Sequence, residues 1–239
     1  MDQLLAKILQ AHGGSDRYAR FSQIRATIVT GGGLWAIKGV PQDPDPREMT
    51  VRLHEEWASV RPFGAPDQRT AFTPGRVAIE RTDGTVVAER PDPRASFAGH
   101  ELATPWDGLQ RAYFNGYAMW TYLTTPFLLA MPGVTVTPLP DLHENGEQWH
   151  GLRAAFPEDI ASHSREQEFW FGDDLLLRRH DYRVDVAGGF PAVQYVHHYI
   201  EAQGLRMPSK RRAYRCGDDG RPLPDELMVA IDISDLHYS

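Results

Sequence analysis

The fold class is decided by residues 166–202, which read EQEFWFGDDLLLRRHDYRVDVAGGFPAVQYVHHYIEA. Apolar and polar residues alternate through most of this stretch, and residues 172–174 and 188–189 interrupt the alternation. A period of two is typical of strands, and glycine and aspartate at the interruptions favour tight turns. Because short connections make neighbouring strands antiparallel, the stretch predicts a three-stranded antiparallel unit.

Segments on both sides of this unit extend the strand pattern. Alternation recurs at 24–29, 49–57, 69–72, 76–81, 86–90, 148–156, 206–216 and 227–233. Residues 34–38, after the glycines at 31–33, are predicted to complete a hairpin with 24–29. At the N-terminus, apolar residues at 4, 5, 8 and 9 repeat at helical spacing behind Asp2, which is expected to cap a short helix.

A second helix is predicted over 105–125, because Thr104, Pro105 and Asp107 form a helix-start signature. We therefore expect a mainly β (α+β) fold. Its core is predicted to be a single curved antiparallel sheet or an unclosed β barrel, with the N-terminal helix and the central helix against its concave face. Because no repeat or linker divides the chain, residues 1–239 are predicted to form one domain.

The charge balance excludes one class of partner. The chain has 32 acidic against 25 basic residues and a formal net charge of −7, which repels phosphate backbones. We therefore expect no nucleic-acid partner. A local basic run is interpreted as a solvated face or as edge protection, with contact to an anionic ligand as the alternative. The run consists of Arg206, Lys210, Arg211, Arg212 and Arg215.

Cysteine usage and hydropathy indicate the compartment. Cys216 is the only cysteine, so neither an intrachain disulfide nor a thiolate metal cluster can form. Residues 1–10 do not have the pattern of a secretory signal, and the longest apolar stretch, 117–131, is too short and too polar to cross a bilayer. We expect a cytoplasmic protein with no integral membrane segment; no partner protein is specified.

The predicted central helix carries an aromatic stripe. Trp106, Leu109, Tyr113, Tyr117 and Trp120 fall on one face at spacings of three and four. These rings are expected either to pack on the sheet or to line a ligand cavity.

A polar row is predicted on one face of the three-stranded unit. If Gly188 and Gly189 form a two-residue turn, His180 lies opposite His197, and the turn at 173–174 places Gln167 opposite His180. Rings and hydrogen-bonding groups combined in this way suit a pocket, although they also satisfy one another without a ligand. The predicted neighbours of the row are Phe169, Arg178, Tyr182, Tyr195 and Tyr199.

Metal and standard catalytic signatures are weak. His180 and His197 could supply two ligands, with His163 as a third from the adjoining loop, but no metal is predicted because one sequence cannot close the coordination. Glu55, on a predicted strand face, would have a raised pKa if buried. Phosphate loops, nucleophile elbows and zinc-protease motifs are absent from the sequence, and no cofactor is predicted.

The order of elements is similar to that of the LolA/LppX-like family of outer-membrane lipoprotein carriers. The likeness to the carriers is carried by residues 11–14 (AHGG), 24–29 and 31–33. A second stretch resembles uncharacterised bacterial relatives of those carriers, and it comprises His163, Gln167, Phe169 and residues 177–182 (LRRHDY). The resemblance implies an unclosed antiparallel barrel with helices around an apolar cavity. It implies no catalytic motif, and because no signal segment is recognised, lipoprotein delivery between membranes is not expected.

Two functional hypotheses follow. The first is that the chain binds a small apolar or amphipathic molecule between the curved sheet and the aromatic helix, with Trp106, Tyr113, Tyr117, Trp120, Gln167, Phe169, Tyr195 and Tyr199 lining the site. The second is a cofactor-independent enzyme in the same cavity. It would use His180 or His197 as general base, with Tyr182, Arg178 or Glu55 steering the developing charge.

Overall fold

A computed structural model describes residues 3–41, 43–144 and 146–239. The predicted helix cap, Asp2, lies outside the described residues. Within them the chain forms thirteen strands: β1 Gln23–Gly31, β2 Arg47–Arg52, β3 Ala58–Arg61, β4 Gln68–Thr73, β5 Arg76–Arg81, β6 Val86–Pro91, β7 Thr135–Glu144, β8 Glu147–Ala155, β9 Glu166–Phe171, β10 Leu177–Val184, β11 Phe190–Ala202, β12 Leu205–Cys216 and β13 Pro222–Tyr238.

Helices occupy a smaller part of the described chain. The α-helices are α1 Gln3–Ala11, α2 Ser15–Tyr18, α3 Leu34–Ile37 and α4 Gly108–Thr124. The 3₁₀ helices are Pro93–Phe97, Phe127–Ala130 and Asp185–Ala187.

All thirteen strands belong to one antiparallel sheet in the order β6-β5-β4-β3-β2-β1-β13-β12-β11-β10-β9-β8-β7. The first and last strands, β1 and β13, pair in the middle, and β6 and β7 form the two edges. Short hairpins explain most of this order, because strands that follow one another through tight turns pair with each other. The predicted mainly β fold, one curved antiparallel sheet with a helix against its face, is confirmed.

The long connection from β6 to β7 runs from one edge of the sheet to the other and contains α4. We call the sheet face that α4 covers the inner face. The Asp107 side chain accepts a hydrogen bond from Gln110 N at 2.8 Å, and Asp107 N donates to Gln110 Oε1 at 3.0 Å. This capping box starts the helix at Gly108, three residues later than predicted, and leaves Trp106 in the preceding turn.

Helix α4 is buried on nearly all sides. Of its 17 residues, 14 are buried, which indicates a helix enclosed by the protein on more than one side. On one side Gly116 lies so close to Phe72 of β4 that a Cβ atom at position 116 would lie 2.2 Å from the Phe72 ring. On another side Tyr122 packs under the guanidinium of Arg211 from β12, 4.7 Å from the ring centre.

Three local predictions were wrong. Residues 34–37 form α3, because the chain turns at Gly32, which has a φ of 103°, and Trp35 Nε1 then donates to Gly31 O at 3.2 Å. The predicted strand 49–57 ends at Arg52, and residues 53–57 form the turn that leads into β3. Strand β12, with its basic run, lies inside the sheet between β11 and β13, so edge protection does not explain it.

Candidate functional site

The connection between β10 and β11 is longer than the predicted two-residue turn. Residues 185–187 form a 3₁₀ helix before Gly188 and Gly189, so Val184 pairs with Phe190 and His180 pairs with Gln194. This register differs from the predicted one by an odd number of residues. An odd shift moves His197 to the other face of the sheet, so the prediction that His180 and His197 are neighbours was wrong.

The shift separates the predicted β11 residues from His180. His197 is exposed and pairs with Lys210 of β12. Tyr195 lies on the outer face, where its hydroxyl hydrogen-bonds Glu144 and its ring lies 5.8 Å from the Arg179 guanidinium. Tyr199 donates to Leu177 O at 2.9 Å. The single row across three strands that the sequence predicted is therefore not formed.

On the β9 side the predicted face is correct, but the predicted pairing is wrong, since His180 pairs with Phe169 and not with Gln167. Gln167 Oε1 lies 2.7 Å from His180 Nε2, and the ring of Phe169 stacks on His180 at 4.2 Å. Arg178 does not join them, because a register shift between Leu177 and Arg179 interrupts the ladder there. Its guanidinium instead lies 2.9 Å from Asp174 Oδ2 at the end of the strand.

Sequence reasoning missed an interior polar cluster formed by Tyr122, His163, Tyr182, Gln194 and Arg211. Tyr122 Oη lies 2.7 Å from His163 Nε2 and 3.0 Å from Tyr182 Oη. Gln194 Nε2 donates to Tyr182 Oη at 3.3 Å, while Arg211 donates to Gln194 Oε1 at 2.8 Å and to Tyr122 O at 2.9 Å. All five side chains are buried. The alternation of β12 is consistent with an inward-pointing Arg211, but no local sequence signal identifies Gln194 and Tyr122 as its hydrogen-bond partners.

Burial sets the charge states inside the molecule. It lowers the pKa of His163 to about 3, with a further contribution from the charge on Arg94. Burial likewise lowers the pKa of His180 well below its ordinary value, and His163 and Arg211 add to this effect. Both imidazoles are therefore neutral near pH 7. Burial also lowers the pKa of Arg211, against the favourable effect of nearby tyrosines.

The four aromatic residues predicted to line a ligand cavity are buried in closely packed surroundings. Trp120 Nε1 donates to Arg52 O and Glu55 O, each at 3.0 Å, and Trp106 packs under Lys38 Nζ, 4.6 Å from the ring centre. Tyr113 and Tyr117 contact each other at 5.5 Å. The apolar cavity between α4 and strands β1 to β3 and β13 measures about 20 Å³, the space of a single water. A ligand-lining role for these rings stays a prediction.

A larger opening lies beside the first turns of α4, and we call it the cleft. Its volume is about 350 Å³, within the range of small-molecule sites. One wall is apolar, and charged groups stand at the opposite side and the rim. The lining comprises Pro74, Asp92, Arg94, Tyr113, Phe156, Pro157, Glu158, Ile160, Ala161, Ser162, Arg165 and Asp185.

Arg94 is the half-buried cation of the cleft. Its guanidinium donates to Ser162 O at 2.9 Å and to Asp185 Oδ2 at 3.2 Å. Burial opposes its charge, but the nearby Tyr117 and Tyr113 and the Asp185 carboxylate together raise the pKa of Arg94. Arg94 therefore stays protonated at any physiological pH and presents a fixed positive charge to the cleft.

Glu56 lies behind the Ala161 wall of the cleft. Its Oε2 accepts the Ala161 N–H at 2.9 Å, and its Oε1 is buried with no hydrogen-bond partner among the described residues. Burial raises the pKa of Glu56 well above the ordinary value. The sequence indicated the neighbouring Glu55 as the carboxylate that would have a raised pKa if buried. Glu55 is instead exposed in the turn after β2 and pairs with Arg52. A turn after Arg52 was not foreseen, and that turn decides which glutamate is buried.

The described residues contain neither a metal-ligand cluster nor a membrane-spanning helix. In the ranges 3–41, 43–144 and 146–239, no three His, Cys, Asp or Glu side chains are arranged to hold a metal ion. Within the same ranges, no helix combines the length and hydropathy needed to cross a bilayer.

Comparisons with known proteins bear on the fold. No family model matches the chain, and no curated protein matches its sequence. Among solved structures, it is similar to a DUF1329 family protein from Desulfovibrio piger, with a TM-score of 0.53, 12% identity and coverage of 99% of this chain and 92% of the other. It is also similar to a LolA superfamily protein from Nitrosomonas europaea, with a TM-score of 0.53, 12% identity and coverage of 97% and 92%. The resemblance predicted from the sequence is therefore confirmed at the level of the fold, which is LolA-like.

Proposed function

We propose that the protein binds a small amphipathic molecule in the cleft beside the first turns of α4. The observation that carries the proposal is the pairing of an apolar wall with one fixed, half-buried cation in an opening of about 350 Å³. Such sites take up an apolar group by burial and orient a polar group through a few directed contacts.

The two ends of the ligand are assigned by the lining. Phe156, Ile160 and Tyr113 form the apolar side, and the Tyr113 ring is almost fully buried behind it. Arg94 faces the same space, and its carboxylate partner, Asp185, is exposed on the rim. An anionic ligand group can replace Asp185 at Arg94, because an exposed ion pair contributes little on its own. We therefore assign the polar end of the ligand to Arg94.

The LolA-like fold supports a binding role, since the family that the sequence resembles is one of carriers with a ligand-sized cavity. The proposed site differs in place from the one predicted from sequence. The space between helix and sheet holds side chains, and the open volume lies at the end of that space, beside Tyr113. The cytoplasmic location stays a prediction.

The positions of the candidate catalytic residues do not favour the enzyme hypothesis. Its two histidines lie on different faces of the sheet, and Glu55 is exposed and ion-paired. His180 is fully buried against Phe169 and Gln167 and does not line the cleft. A general base must reach the proton that it removes, and His180 has no such access.

Dodecanoate is a suitable probe, because it combines an apolar chain with a carboxylate. We expect calorimetry to give a Kd on the order of 10 μM, about −7 kcal/mol. Ile160→Asp places a charge in the apolar wall and is expected to weaken binding at least tenfold, about 1.4 kcal/mol. Ile37→Asp is the matched control, since Ile37 is 40% exposed and does not line the cleft.

Arg94→Gln tests the polar end. We expect it to weaken dodecanoate binding while leaving dodecanol binding nearly unchanged, because only the carboxylate meets the charge. No binding of dodecanoate to the unaltered protein, or equal loss in Ile160→Asp and Ile37→Asp, would contradict the proposed function.

A further inference from the structure

The wall of the cleft is a loop that three separate elements hold in place. We call residues 157–165 the closing loop. Glu56 from the β2–β3 turn accepts the Ala161 N–H at 2.9 Å, and Arg94 donates to Ser162 O at 2.9 Å. Asp185 N donates to His163 O at 3.0 Å. Each of these anchors is one hydrogen bond, and Ser164 adds two more, since its Oγ accepts from Arg183 N at 3.2 Å and its carbonyl oxygen accepts from Gln167 Nε2 at 2.9 Å.

The closing loop carries the imidazole of His163 into the interior. The imidazole stacks on Tyr182 with ring centres 4.0 Å apart and planes 7° from parallel. The rings of Phe114, Tyr117 and Tyr122 surround it at 5.6, 5.0 and 5.6 Å. We call these four rings the aromatic box. The box adjoins the cleft, since Tyr113, which lines the cleft, contacts Tyr117 with ring centres 5.5 Å apart.

Histidine fills this box poorly. Its Nε2 is hydrogen-bonded to Tyr122 Oη, but its Nδ1 is buried with no partner among the described residues, and so is the hydroxyl of Tyr117. An unpaired buried polar atom destabilises a protein, whereas phenylalanine would fill a box of four rings without that cost. A side chain chosen only for packing would not be polar. The choice of histidine is explained if the imidazole also spends time in water, outside the box.

We propose that the closing loop is a lid and that His163 occupies, in the closed state, a subsite that receives a flat ring of the ligand when the lid lifts. The inference rests on the proposed function and makes it more specific. The ligand class is an amphipathic molecule with an anionic group, held at Arg94, and a planar ring, stacked on Tyr182. Tyr122 Oη, released from His163, is then available to a polar atom on that ring.

The first test compares two substitutions with an aromatic probe, 1-anilinonaphthalene-8-sulfonate. His163→Ala vacates the box, whereas His163→Phe keeps it filled by a ring. We expect His163→Ala to bind the probe about tenfold more tightly than the unaltered protein, because the site no longer has to be vacated, and His163→Phe to show no such gain. Dodecanoate, which has no ring, is expected to change less than twofold in either variant.

Imidazole provides a second readout of the same box. In His163→Ala, millimolar imidazole is expected to compete with the fluorescent probe and to raise the melting temperature, since it replaces the missing ring. Neither effect is expected in the unaltered protein or in His163→Phe.

The lid is tested with His163 in place, so that the result does not depend on whether a His163 variant folds. Glu56→Ala removes the anchor at Ala161, and Glu55→Ala, one residue away and exposed, is the matched control. We expect stopped-flow association of the aromatic probe to be about threefold faster or more in Glu56→Ala than in Glu55→Ala.

The outcomes separate the two proposals. If dodecanoate binds but the His163→Ala and His163→Phe variants bind the aromatic probe equally, the ring subsite is wrong. If Glu56→Ala and Glu55→Ala give equal association rates, the lid is wrong. If dodecanoate does not bind the unaltered protein, the proposed function itself fails.

Discussion

The Nε2 atom of His163 lies 2.7 Å from the hydroxyl of Tyr122, in an interior where neither side chain is more than 2% exposed. One residue comes from the closing loop and the other from the last turn of α4, which are 41 positions apart in the chain. Burial at this position keeps the imidazole neutral, which makes the stability of the protein sensitive to acid.

Stability is expected to fall between pH 6.5 and 4.5. Burial lowers the pKa of His163 to about 3 and of His12 to about 4, and lowers that of His180 well below 6.5. Because these folded-state values lie below the unfolded value, each contribution is complete above pH 6.5 and is lost as the pH falls toward the folded pKa. Glu56, whose pKa burial raises, acts in the opposite direction over this window.

Each group changes the free energy of unfolding by at most about 1.4 kcal/mol per pH unit. Because three histidines lower it and one glutamate raises it as the pH falls, the net loss is at most about 2–3 kcal/mol per pH unit. Urea unfolding at pH 7.5, 6.0 and 5.0 measures the slope. His163→Phe is expected to reduce the slope of unfolding free energy against pH by about one proton, and His237→Phe, which replaces an exposed ring, is the matched control. Identical slopes for the two variants would argue against a neutral His163.

Gly116→Ala is expected to destabilise the protein even though alanine favours helix. The gain in helix propensity is about 1 kcal/mol, but the new Cβ would lie 2.2 Å from the Phe72 ring, and overpacking a core costs about 1–3 kcal/mol or more. The matched control is Gly108→Ala, whose Cβ would be 3.6 Å from Ile79, an ordinary contact. Chemical denaturation should show Gly116→Ala less stable than Gly108→Ala; the reverse order would mean that β4 yields to the methyl group.

Asp43→Asn is expected to cost about 3–5 kcal/mol, because it removes the carboxylate from two buried guanidinium groups. Asp43 Oδ2 lies 3.0 Å from Arg47 and 2.6 Å from Arg111, whose side chains are only 2% and 5% exposed. Asp67→Asn is the matched control, since its pair with Arg81 is about half exposed and should contribute less than about 1 kcal/mol. Equal losses of unfolding free energy in the two variants would contradict this difference.

Histidine modification tests the register of β10 and β11. Diethyl pyrocarbonate is expected to modify His197, which is exposed, and to leave His180 intact in the folded protein, because the paired residue of His180 is Gln194 and its ring is fully buried. Mass spectrometry of peptides locates the adducts, and both residues should react in urea. Equal reactivity under native conditions would support the two-residue turn that the sequence first indicated.

The sequence by itself determined the class of the fold. Alternation with period two and short turns require antiparallel pairing of neighbours, and the capping residues and aromatic spacing mark one long helix between the two groups of strands. These are local properties, because each depends on residues a few positions apart. The face shared by Gln167, Phe169 and His180 was also predicted, although Phe171 pairs with Leu177 instead of the predicted Leu176, and the register shift between Leu177 and Arg179 restores the face.

Only the tertiary structure decided the site. A five-residue connection after Val184 in place of a two-residue turn reversed the faces of β11, and a turn after Arg52 buried Glu56 instead of Glu55. Nothing local to residues 157–165 indicates that His163 enters a box of rings from α4 and β10, since those contacts span up to 49 positions of sequence. Periodicity specifies which residues can face a core, but which of them meet depends on register and on where a loop returns, and both are set by packing across the whole sheet.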